Sequence, residues 1–238
     1  MFITKNSTLI FGGTGAVGMC LSMTHFPPKP SPVSSPSAAA LSSRTSASLI
    51  SVRSVQVVFC TLGINLTSAP SREAFKRIDQ QYVLDSARHV CENAPKDPQT
   101  GCSKAHFLYC SAIGANPNFF FFGTRTKGET EQALTEVGFE RMSILQPAIL
   151  MVVEPPESVT IVEWAATRLV PLVKLVAEKS TTVSMATVAK CMRLVGTSDS
   201  VGVARTAPKK VEIHPVSKTT VAYYSNAKIH DIVNNART

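Results

Sequence analysis

Apolar positions along this chain alternate between short strand-length runs and longer stretches with helical spacing. Leu9-Ile10-Phe11 is the first run; it breaks into glycines and then into a segment able to be a helix as far as Thr24. Val55–Cys60 is a β-branched run with the character of a central parallel strand. Phe75, Ile78, Tyr82, Val83, Ala87 and Val90 recur at three- and four-residue spacings, which predicts one long amphipathic helix over Glu73–Glu92. His106–Cys110 predicts the next strand. The aromatic run Phe119–Phe122 is expected in the core or in a lid, and Thr124–Val137 predicts a helix capped by Thr124 and stopped by Gly138. Ser143-Ile144-Leu145 leads a strand that closes before Pro147. Val159–Ala177 reads as an apolar-faced helix that Pro171 kinks or divides, and Thr187–Val195 as another. Tyr223-Tyr224 marks a late strand ahead of a closing segment around Ile229. Strands alternating with helices predict the α/β class: one domain with a doubly wound, mainly parallel sheet, helices on both faces and a small C-terminal extension.

One stretch interrupts the alternation. Between Pro27 and Ser54, ten serines and five prolines occupy 28 positions without an acidic residue, the composition of a linker or irregular insertion. It falls where a doubly wound fold would run its second strand, second helix and third strand.

The glycines carry the first candidate chemistry. Gly13, Gly15 and Gly18 satisfy G-x-G-x-x-G, directly after a strand-like run and before a helix-like one. A dinucleotide pyrophosphate needs such a tight turn, a bare backbone, and a helix N-terminus whose free N–H groups face the anion. Gly12, Gly13, Thr14, Gly15, Ala16, Val17 and Gly18 are therefore candidate cofactor-binding residues. Leu62-Gly63, in the loop after the Val55–Cys60 run, joins them, because doubly wound sheets bind ligands at the carboxyl ends of strands. A carboxylate usually holds the adenosine ribose, yet the first acidic residue here is Glu73. Arg44 or Arg53 could instead meet a 2′-phosphate, which favours NADP over NAD.

Charge and cysteines narrow the setting. The formal charge is +8, but the basic residues are scattered and no aromatics interleave with them, so no nucleic-acid partner is expected. Six cysteines show no C-x-x-C spacing and there is no secretory signal; free thiols in a reducing compartment and no metal site are expected. The acid-free, Ser-rich start has the composition of a mitochondrial transit peptide, although a cleaved presequence would remove the glycine motif. A cytoplasmic or mitochondrial location follows. No apolar run is long and uncharged enough to span a bilayer; the nearest, Ile161–Ala177, carries Glu163, Arg168 and Lys174.

The ordered stretches Leu9–Gly18, Phe59–Gly63, Phe75–Leu84, Ser111–Ala115, Thr126–Glu131, Gln146–Leu150 and Asn226–Asp231 resemble the atypical short-chain dehydrogenase/reductases. Within these, the likeness is specifically to the Tat-interacting-protein oxidoreductase group and its fungal mitochondrial relatives. The resemblance implies an NADP-binding Rossmann fold and a reductase apparatus of Ser with Tyr-x-x-x-Lys. In that apparatus Lys lowers the tyrosine pKa and holds the nicotinamide ribose, Tyr exchanges a proton with the substrate oxygen, and Ser orients that oxygen. Lys127 matches the lysine. Ser111 lies in the serine region, where Ala112 could occupy the equivalent place, and Pro147 and Ile149 line the cofactor in the matching motif. Gly123 stands where the tyrosine belongs, while Gln146 and Ala148 replace the arginine and glycine usual beside Pro147. The resemblance thus implies an NADP-binding oxidoreductase acting on a small carbonyl substrate. The alternative is a catalytically weak or inactive Rossmann protein that senses cofactor or contacts a protein partner. By analogy with the fungal relatives, Val159–Ala177 could lie on a membrane surface, the outer mitochondrial membrane included.

Overall fold

The computed structural model describes residues 2–3, 8–13, 16–25, 55–151, 182–198 and 207–236. Thr14, Gly15, Arg44, Arg53, the Ser/Pro-rich stretch and the expected 159–177 helix lie outside them. In chain order the elements are β1 (Phe2–Ile3), β2 (Thr8–Phe11), α1 (Ala16–His25), β3 (Val57–Cys60) and α2 (Arg72–Lys76). A π-helical turn (Arg77–Gln81) leads into α3 (Tyr82–Asn93), followed by β4 (Ser103–Cys110), α4 (Phe122–Thr135), β5 (Phe139–Gln146) and β6 (Ile149–Met151). Then come β7 (Thr182–Ser184), α5 (Met185–Gly196), β8 (Lys210–Ile213), β9 (Thr220–Ser225) and α6 (Asn226–Asn235).

Strands β2, β3, β4, β5 and β9 are parallel neighbours in that order, flanked by antiparallel edge strands β1 and β8, while β6 and β7 form a separate parallel pair. Period-two alternation in the strands feeds two cores. Leu9, Val58, Phe107, Ile144 and Val221 pack with Val83, Ala87 and Val90 of α3 and Leu134 of α4. Their chain neighbours Ile10, Phe59, Leu108, Leu145 and Ala222 pack on the other face with α1, α5 and α6. Each such large side chain, fully buried, contributes about 1.5–3 kcal/mol. The sheet is therefore doubly wound and Rossmann-like, as the alternation predicts. Beside β2, where such a sheet would continue with its second strand, stands the two-residue antiparallel β1.

Three local expectations are corrected. The 73–92 helix is not continuous: the π-helical turn inserts one residue's worth of rotation, so Asp79 becomes buried while Tyr82 is 48% exposed. Helix α4 starts two residues early, at Phe122, with Phe121 as its N-cap and no side-chain cap; Thr124 sits within it. Only Phe122 of the four phenylalanines packs inward, against Phe75 beneath the Arg72 and Arg125 guanidinium groups. Phe119, Phe120 and Phe121 are exposed and meet one another in tilted ring contacts instead. The stop at Gly138 holds, with φ +100° there. All six cysteines are free.

His106 is buried in β4, its Nε2 2.8 Å from the Ser143 hydroxyl. Burial, helped by Arg141, lowers its pKa to about 3. The unfolded chain therefore binds a proton that the folded chain refuses between pH ~6.5 and ~3, and stability falls as pH falls through that window. Urea melts at pH 7.5 and 5.0 should show this loss shrinking by about 1–2 kcal/mol in His106→Gln. An unchanged pH dependence in the variant would assign the loss to other groups.

Candidate functional site

The carboxyl ends of β2, β3, β4 and β5 converge, and most of the residues singled out by sequence gather there. Gly12, just beyond β2, adopts φ +80°, and a Cβ on it would lie 2.7–2.8 Å from the Thr61 and Leu62 backbone. The Thr61 amide and hydroxyl both donate to the Phe11 carbonyl, at 3.0 and 3.1 Å, clamping the β3 loop onto the glycine turn. Gly18 in α1 faces back on this turn: a Cβ there would lie 2.1 Å from the Gly12 carbonyl oxygen. These two glycines are required for close helix–strand packing, and Gly13 is buried between them. Ala16 and Val17 open α1, with Val17 buried in the second core. The cradle is thus a tight turn feeding a helix N-terminus, the arrangement a pyrophosphate requires.

Leu62-Gly63 follows β3. A Cβ on Gly63 would lie 3.1 Å from Asp79 Oδ1 and 3.2 Å from Lys127 Nζ, so the lysine head sits directly under this loop. Lys127 projects from α4 to within 2.5 Å of Asp79 Oδ1 and donates to the Tyr109 hydroxyl at 3.2 Å. The other Asp79 oxygen accepts from the Ile64 amide at 2.9 Å, tying the β3 loop to the same carboxylate. Burial alone would lower the Lys127 pKa, but Tyr109 and Asp79 outweigh it and hold the ammonium above its ordinary value. Tyr109 is fully buried, and burial pushes its phenol well above the ordinary range despite Lys127. Lys127 is accordingly a charged, internally paired residue rather than a solvated helix lysine.

Ser111 lies just past β4, its amide donating to the Leu145 carbonyl at 2.8 Å. It neighbours Glu131, one turn beyond Lys127 on α4. Burial raises the Glu131 carboxyl pKa, while Ser111, Gln146 and Lys127 pull it down. Pro147 follows β5, its carbonyl accepting from Ile113 at 2.8 Å, and Ile149 is exposed in β6. Gly123 is one helical turn before Lys127. A Cβ there would meet only Leu66 and Phe75, at 3.8 and 3.9 Å, so the position has room for a Cβ.

Sequence reasoning missed Asp79, although a signal was there. Phe75, Asp79, Val83 and Ala87 stand four residues apart, which puts one carboxylate on an otherwise apolar stripe.

No protein-family model matches the chain. It is 34% identical over 95 residues to protein HTATIP2 of Rattus norvegicus, covering 40% of this chain and 35% of that protein. It is 33% identical over 98 residues to the mitochondrial protein FMP52 of Candida albicans, covering 41% and 39%. The chain thus matches little more than a third of the length of these curated relatives. Among solved structures it resembles dTDP-4-dehydrorhamnose reductase from Yersinia enterocolitica, with a TM-score of 0.51, 11% identity and 80% and 70% coverage. The Bacillus anthracis dTDP-4-dehydrorhamnose reductase, solved in complex with NADP, matches with a TM-score of 0.50, 12% identity and 100% and 83% coverage. At these identities the two structures show the shared Rossmann fold.

Proposed function

We propose that this chain, an atypical short-chain dehydrogenase/reductase by its likeness to those relatives, binds NADP(H) at the carboxyl ends of β2 and β3 and has lost most of its carbonyl-reducing activity. The observation that carries this reading is the state of Lys127: largely withdrawn from solvent, charged and paired, with a glycine where its proton-transfer partner belongs.

Gly12, Gly13, Thr14, Gly15, Ala16, Val17 and Gly18 would hold the pyrophosphate, with Leu62-Gly63 beneath the rest of the cofactor and Pro147 and Ile149 on its nicotinamide side. Arg44 is the candidate for a 2′-phosphate. The bound cofactor supplies hydride transfer. The chain's own part would be to place a substrate oxygen through Ser111 and to exchange a proton with it. That second task has no donor. Gly123 carries no side chain, and the Tyr109 phenol is sealed inside the sheet with its proton held tightly. Lys127, neutralised by Asp79, would be left to steady the β3 loop and to hold the nicotinamide ribose.

Titration calorimetry with NADPH and NADH, beside an assay of NADPH oxidation with small aldehydes, tests this reading. Binding of NADPH in preference to NADH, with turnover near background, is the expected result. Equal or tighter NADH binding would remove the NADP assignment, and robust turnover surviving Lys127→Ala would remove the rest. The exposed Phe119–Phe121 cluster on the loop into the Lys127 helix favours a second role, cofactor sensing with display to a protein partner. The Candida albicans relative's designation as mitochondrial supports a mitochondrial setting.

A further inference from the structure

A cavity of about 580 Å³ opens between α4 and the β8–β9 hairpin, within the size range of small-molecule sites. Pro117, Ile213, Pro215 and Val221 give it apolar walls, and Glu131 and Glu212 reach it from opposite sides. The two carboxylates are not equivalent. Glu212, half-exposed on the edge strand, is paired with Lys210 and takes the Tyr223 hydroxyl. Glu131 is only 6% exposed. Its two oxygens accept from the Gln146 side-chain amide at 3.1 and 3.0 Å, and among the described residues it forms no ion pair.

The Gln146 amide and the Ser111 hydroxyl, both neutral, satisfy hydrogen bonds but not charge, and a buried carboxylate without a counter-ion is strongly disfavoured. The nearest ammonium, Lys127, is committed to Asp79 at 2.5 Å. His214, also on the wall, uses its Nδ1 to accept from the Ser217 amide at 3.2 Å. The cavity therefore presents an uncompensated carboxylate at one end of an apolar-walled space.

We propose that this cavity binds a small organic cation, an ammonium or amidinium on a compact apolar body, with Glu131 as its counter-charge. The cation would displace no existing partner: Gln146 and Ser111 keep their hydrogen bonds and the ligand adds the missing charge. Affinity would come from charge at Glu131 and apolar contact at Pro117, Ile213 and Pro215. The site is separate from the glycine turn and does not depend on the chain binding a dinucleotide.

Titration calorimetry at low salt and pH 7.5 with benzylammonium, using benzyl alcohol as its uncharged counterpart, tests this. Benzylammonium should bind, benzyl alcohol about tenfold or more weakly, and Glu131→Gln should lose about tenfold or more of the benzylammonium affinity. Gln146→Arg, which supplies the cation internally, should block binding. Carboxyl ¹³C NMR of the unmodified chain gives a reading that needs no variant: the Glu131 pKa should fall when benzylammonium is added. Undetectable benzylammonium binding, equal affinity for the alcohol, or an unmoved Glu131 titration overturns the proposal. NADPH affinity measured on the same samples reports on the dinucleotide reading independently.

Discussion

Gly123→Tyr should raise NADPH-dependent carbonyl reduction by about 10²–10⁴-fold, the contribution a positioned acid–base group makes to proton transfer. Residue 123 lies one turn before Lys127 on α4, so a tyrosine there and the lysine share a helix face. A Cβ at 123 finds ordinary contact distances to Leu66 and Phe75, so the first atom of a side chain is accepted without moving backbone. The lysine it needs is already charged and anchored. The gain should therefore appear in kcat at constant NADPH affinity, because nothing in the glycine turn changes. Gly123→Phe has the same bulk without the hydroxyl and should show no gain, which separates proton transfer from packing. If Gly123→Tyr stays folded, binds NADPH and is no faster than the unmodified chain, the missing tyrosine is not what limits this site.

How far the chain could be read in advance depended on how local each feature is. Strands β2, β3, β4 and β5 were legible because both faces of the sheet are buried, so each carries a short apolar run: Leu9–Phe11, Val57–Cys60, Phe107–Cys110 and Ile144-Leu145. Edge strand β8 was not: Lys210-Val211-Glu212-Ile213 alternates over four residues only, and all four are exposed, so no buried face marks it out. The glycine turn could be read because Gly12 and Gly18 answer a steric demand that only a residue without Cβ can meet. The Asp79–Lys127–Tyr109 cluster joins residues from three elements and depends on a π-helical turn that shifts the helix face by one residue. Periodicity assumes a uniform 3.6-residue turn, so it placed Ile78 and Tyr82 inward where the structure buries Asp79. The exposure of Phe119–Phe121 ran against hydropathy for a related reason. The helix that follows turns polar residues inward: Thr126 and Thr130 are buried, and Thr130 donates to the Asp79 carbonyl in the π-turn.

Asp79→Ala should cost about 3–5 kcal/mol of folding stability, the usual consequence of removing one partner of a buried pair. The carboxylate does two things that nothing else in the site can do. It is the only anion paired with Lys127 among the described residues, and it accepts the Ile64 amide that anchors the β3 loop. Its loss leaves a buried ammonium without a counter-charge and a loop without its tether. The pH dependence identifies the cause. In the unmodified chain Lys127 sits above its ordinary pKa, so its stabilising contribution is complete at neutral pH and is lost as pH rises through the folded-state value. In Asp79→Ala the same group should fall below its unfolded value of ~10.4. The unfolded chain then binds more protons at alkaline pH, and the variant should become more stable as pH rises towards 10. Adding Lys127→Met to Asp79→Ala removes the stranded charge and should recover much of the loss. Urea unfolding of the two variants at pH 7 and 9.5 measures all of this. A single-variant loss below about 1 kcal/mol, or a double variant less stable than Asp79→Ala, would mean that the pair is not the buried ionic lock described here.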